Sequence, residues 1–89
     1  MKVVINKSYG GFGLSKRATR MMELLLPDES QFNVDRSDPY LVKIVEYLGE
    51  AASSEFSELR IVEIPDGVKW HIEEYDGKEW VAEDHRTWG

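Results

Sequence analysis

The chain has 89 residues, 42% of them hydrophobic, with three Trp, four Tyr, three Phe and no Cys. That length makes one domain, residues 1–89, which buries only about 60–65% of its unfolded surface, so self-association would help its small core. The aromatic content argues against disorder, the missing cysteines exclude disulfides and thiolate metal sites, and no apolar run approaches the ~20 residues of a membrane span.

The expected setting is therefore a reducing cytoplasm, with no membrane partner. The net charge of −6 argues against duplex nucleic acid as a partner, but it is unevenly spread. Residues 1–20 carry five Lys/Arg and no Asp/Glu, whereas residues 46–89 carry four Lys/Arg against twelve Asp/Glu. Such a chain can hold an anion at one end and repel a duplex with the other, or both charge sets can be solvated faces.

Residues 1–6 read as a buried strand, because Val3-Val4-Ile5 is a β-branched run followed closely by glycines. Asn6-Lys7-Ser8-Tyr9-Gly10-Gly11-Phe12-Gly13-Leu14-Ser15 then makes a glycine-rich connection to a helix that Ser15 should cap. Leu14, Ala18, Met21, Met22 and Leu25 form that helix's apolar stripe, with Lys16, Arg17 and Arg20 off it and Pro27 ending it. Phe32 and Val34 should anchor the irregular stretch that follows. Ser37 or Asp38 caps a second helix with Pro39 at its first position. Leu41, Ile44, Val45 and Leu48 carry its core face, and the helix should end after Gly49 or run on to about Ala52. Ser53-Ser54 is the best linker candidate.

The last third changes period. A strand around Leu59, Ile61, Val62 and Ile64 stops at Pro65-Asp66-Gly67. Asp76-Gly77 signals a type I′ hairpin, which pairs Tyr75 with Lys78, Glu74 with Glu79, Glu73 with Trp80 and Ile72 with Val81. Trp70, Ile72 and Val81 then form its core face. The order β-α-α-β-β-β predicts an α+β fold: two helices packed on one face of a small, mostly antiparallel sheet into which the first strand pairs.

The glycine loop is the natural place for a ligand. Backbone N–H groups of Gly10, Gly11 and Gly13, with the helix start at Ser15, could cradle a phosphate or carboxylate. Lys7, Lys16, Arg17 and Arg20 could neutralise it, and Tyr9 or Phe12 could stack on a base. The loop matches neither the dinucleotide fingerprint nor the phosphate-loop motif, and the competing reading is a tight turn with Tyr9 and Phe12 in the core. Glu74 and Glu79, about 5 Å apart across the hairpin, are expected to be solvated. His71 and His85 lack second ligands at metal spacing, and no serine sits in a nucleophile elbow. We therefore expect no enzyme, no cofactor and no metal. Tyr75, Trp80 and Trp88 should share the sheet face turned away from the helices, an apolar surface suited to a homo-oligomer or partner interface.

The segment Val3-Val4-Ile5-Asn6-Lys7-Ser8-Tyr9-Gly10-Gly11-Phe12-Gly13-Leu14-Ser15 resembles a group of small uncharacterised bacteriophage and prophage proteins. The likeness continues through Arg36-Ser37-Asp38-Pro39, Val62-Glu63-Ile64-Pro65-Asp66 and the closing Glu79-Trp80-Val81-Ala82-Glu83-Asp84-His85-Arg86-Thr87-Trp88. It carries no site residues with it. A phage origin would imply a protein acting in the host cytoplasm, in an anti-defence role, either sequestering a nucleotide or cyclic-nucleotide signal or blocking a host protein.

Overall fold

The computed structural model describes residues 1–25 and 35–83. Pro27, Phe32, Val34, His85 and Trp88 lie outside the described residues. The elements are β1 (Lys2–Asn6), α1 (Lys16–Leu25), α2 (Pro39–Leu48), β2 (Leu59–Glu63), β3 (Trp70–Tyr75) and β4 (Lys78–Glu83). A 3-10 turn, Gly49–Ala52, extends α2. The fold is α+β, and among the described residues no helix is long and apolar enough to cross a membrane.

The helix boundaries follow from local chemistry. Ser15 caps α1, its Oγ accepting from the Ala18 N–H at 3.1 Å. Asp38 caps α2, its carboxylate accepting from the N–H groups of Tyr40 and Leu41 at 2.8 and 3.3 Å, with Pro39 at the first position. Gly49 ends α2 with φ of 58°. The buried residues of α2 are Leu41, Val42, Ile44 and Val45, while α1 buries only Ala18 and Met22. Leu25, placed on the α1 stripe by its spacing, is 46% exposed.

The strands depart from the expected single sheet. β1 pairs antiparallel with β2, Lys2 opposite Glu63 and Asn6 opposite Leu59. β3 and β4 form a separate hairpin in the register read from Asp76-Gly77, whose φ values of 52° and 92° suit a type I′ turn. The two ribbons stack instead of joining. Val4, Leu59 and Ile61 face the helices, in one cluster with Ala18, Met22, Leu41, Ile44 and Val45. Val3, Ile5, Val62 and Ile64 face the opposite way, onto Trp70, Ile72 and Val81 of the hairpin. The β1–β2 ribbon is thus the middle of three layers, and this is why Val3-Val4-Ile5 is apolar at consecutive positions: both faces are covered.

A single sheet is prevented at the free edge of β1. There the Val4 N–H donates to the Arg36 carbonyl at 2.9 Å, and the Asn6 N–H donates to Glu79 Oε1 at 2.8 Å. With those donors occupied, β4 lies beside β1 through a side chain and forms no ladder with it.

Candidate functional site

Three loops meet where β1 ends: residues 7–15, residues 53–58 and the Asp76-Gly77 turn. Asn6, fully buried, ties them together. Its Nδ2 donates to the carbonyls of Ser8 and Gly77 at 2.7 and 2.8 Å. Its Oδ1 accepts from the N–H groups of Ser8 and Glu58 at 3.2 and 2.8 Å. Every polar valence of the amide is used, and the partners on each side settle its orientation.

Beside Asn6 sits an ion pair that the register hid in plain view. Glu79 is 7% exposed, not solvated as expected, and Arg36 binds it in parallel, Nη1 to Oε1 at 2.6 Å and Nη2 to Oε2 at 2.8 Å. The guanidinium also lies 3.6 Å from the centre of the Phe12 ring. Glu79 shares its hairpin face with Val81, so the alternation already pointed it inward. Nothing local in the sequence pointed to Arg36, 43 residues earlier. Glu74, its cross-strand neighbour, is exposed and accepts from the Gly77 N–H at 2.8 Å.

The loop glycines are accounted for mainly by close approach. A methyl at Gly10 would overlap the Phe56 carbonyl oxygen, and one at Gly13 would lie 2.9 Å from Ser54 Oγ. One at Gly77 would lie 2.5 Å from the Tyr9 carbonyl oxygen and 2.6 Å from the Gly11 nitrogen. Gly11 has φ of 89° with open space around it. Serines complete the contact: Ser8 Oγ donates to the Phe56 carbonyl and Ser57 Oγ to the Gly13 carbonyl, at 2.6 and 2.7 Å. Ser53-Ser54 is therefore a docking strip for the loop and not a linker, with Leu14 and Ser53 forming a β-bridge.

Tyr9 and Phe12 separate. Phe12 is half-buried against the helix-side core beneath Arg36, whereas Tyr9 is 64% exposed. Lys78 Nζ lies 5.6 Å from the centre of the Tyr9 ring. Lys78 is the cross-strand partner of Tyr75, which is 72% exposed, and shares its face with Trp80, 41% exposed. Trp80 Nε1 donates to Glu73 Oε2 at 3.1 Å, and Glu73 Oε1 lies 3.0 Å from His71 Nε2. Tyr9, Tyr75 and Trp80 thus make one exposed face with Lys78 between them.

The cations sit elsewhere. Lys2 bonds Glu46 at 2.8 Å, and that hydrogen bond and charge raise its pKa above the ordinary lysine value. Among the described residues, no carboxylate pairs with Lys7, Lys16, Arg17 or Arg20. Lys16 and Arg17 border an open groove of about 590 Å³ with Ser15, Ser54 and Phe56, at the start of α1. Arg20 and Lys16 line a second, of about 340 Å³, with Thr19 and Glu23. The N–H groups of Gly11, Phe12 and Gly13 have no acceptor among the described residues. Nor do those residues hold three or more acidic or histidine side chains placed for a metal ion.

No protein-family model, curated protein or solved structure matches the chain.

Proposed function

We propose that the chain is a non-enzymatic binding module that contacts a protein partner through the face carrying Tyr9, Tyr75 and Trp80. One observation carries the reading. The loop that most resembles a ligand site contributes its exposed aromatic to the same surface as the two exposed aromatics of the hairpin. Aromatic side chains with polar ends supply large contact area at low entropic cost and are enriched where proteins bind. Glu73, His71 and Lys78 give that surface polar groups that can orient a partner. With a phage origin, the partner would be a host protein.

Affinity capture with the purified chain tests this. We expect a stoichiometric partner retained by Arg17→Ala and lost by Tyr75→Ser combined with Trp80→Ser. Retention by that double variant, with its fold intact, would remove the face from consideration.

A second reading has its own observation, the uncompensated Lys16 and Arg17 beside the groove at the start of α1. It is an anionic small ligand, a nucleotide or cyclic nucleotide, held by those cations with Lys7, Arg20 and the free loop N–H groups. Phe12 contributes no stacking surface on the side that Arg36 covers; Phe56, 67% exposed at the groove, is better placed. Native mass spectrometry with a nucleotide panel decides it: the reading requires an adduct that Arg17→Ala removes.

A further inference from the structure

We infer that the outer edge of β3 is a self-association surface, which takes the same edge of a second copy of this chain in an antiparallel, two-fold arrangement. A two-residue hairpin turn makes Tyr75 and Lys78 a hydrogen-bonded pair, so alternate residues back along β3 direct their backbone groups away from β4. Those residues are Trp70, Ile72 and Glu74. Among the described residues, their outward N–H and C=O groups have no hydrogen-bond partner, and β3 pairs with no strand but β4.

The free edges of β1 and β2 are occupied in part. On the free edge of β1 the Val4 and Asn6 donors are taken by the Arg36 carbonyl and the Glu79 carboxylate, and its Val4 carbonyl accepts from Arg36 Nη1 at 3.4 Å. The free edge of β2 begins with Leu59, whose N–H donates to Ser53 Oγ at 2.9 Å. The six residues of β3 contain no proline and no lysine, two of the usual means of discouraging a new strand, and the charges of the strand are Glu73 and Glu74.

Charge and parity select the register. Outward residues must meet outward residues, and the two-fold axes that pair at least two of them with those of the partner strand fall at His71, Ile72 or Glu73. An axis at Glu73 sets two Glu73 carboxylates directly opposite each other, and one at His71 sets two imidazoles opposite. An axis at Ile72 places Ile72 against the partner's Ile72, Trp70 against the partner's Glu74 and His71 against the partner's Glu73. That register alone uses all three outward residues of each strand, and it gives six new backbone hydrogen bonds, about two per facing pair. The inner-face side chains Trp70 and Ile72, half-buried in one copy, lie along the new seam. The contact is isologous and closes at two copies. It sets the exposed Tyr75 and Trp80 of both copies on one face of a continuous four-stranded sheet.

Sedimentation equilibrium with amide hydrogen exchange tests this on the intact chain. We expect a species of twice the 10.3 kDa chain mass, and a monomer for Glu74→Pro, because that proline removes an outward donor and spares the β3–β4 ladder. In the dimer, the amides of Trp70, Ile72 and Glu74 should exchange as slowly as those of His71, Glu73 and Tyr75. A monomer at every concentration, or a folded Glu74→Pro variant that still dimerises, would overturn the inference. Should Glu74→Pro fail to fold, the wild-type exchange pattern decides: fast outward amides in the dimer overturn the proposal, and slow ones uphold it.

Discussion

Glu79 is the residue on which the three loops depend, and its environment predicts how each substitution behaves. Its carboxylate satisfies the Arg36 guanidinium and the Asn6 N–H at once, so removing it leaves a partly buried cation and a buried donor unpaired. Breaking a buried pair from one side costs roughly 3–5 kcal/mol, and Glu79→Ala should destabilise by that order in urea denaturation. Glu79→Gln keeps an acceptor for Asn6 and should cost less. The glycines make a second residue-scale contrast. Gly10→Ala drives a methyl into the Phe56 carbonyl and should cost more than Gly11→Ala, which meets no atom and pays only the ~1–2 kcal/mol of a left-handed backbone. Equal losses from the two, by thermal melting, would show that close approach does not explain Gly10.

Among the elements, α2 is the one whose ends are set most locally. Asp38, Pro39 and Gly49 supply cap, first residue and stop within the helix's own sequence, and its core positions recur at helical spacing. Asp38→Ala should therefore cost about 1 kcal/mol, and Asp38→Ser nearly nothing, read as shifts in the denaturation midpoint. The hairpin was equally legible, since a two-residue turn needing positive φ at both central positions fixes every pair behind it. The glycine loop was legible only as a turn. What its glycines contact, the Phe56 carbonyl and the Asp76-Gly77 turn, comes from segments more than 40 residues away.

At the scale of the molecule, three layers share one middle ribbon, and the outer layers meet through it. The hairpin has fewer fully buried side chains than the helix layer, and the Arg36–Glu79 pair and Asn6 bind it in place. Trp70 and Trp80 lie on the hairpin strands, so their fluorescence reports on the hairpin side, while far-UV dichroism at 222 nm follows α1 and α2. The two signals should melt together in the wild type. In Glu79→Ala the fluorescence transition should come first; coincident transitions there would mean that apolar contacts alone hold the hairpin.

Neighbours a few residues apart were enough to read the Ser15 cap, a start of α2 at Ser37 or Asp38 with Pro39, most of the α2 core face, the hairpin register and an α+β class. Those signals are read from side chains and dihedrals within one turn or one pair of strands. Long-range packing was needed to establish that β1 and β2 form their own ribbon, that Phe12 turns inward and Tyr9 outward, and that Glu79 is buried against Arg36. Each of those outcomes rests on one segment satisfying the polar groups or apolar surface of another far along the chain, and hydrophobic periodicity carries no record of which distant segment that is.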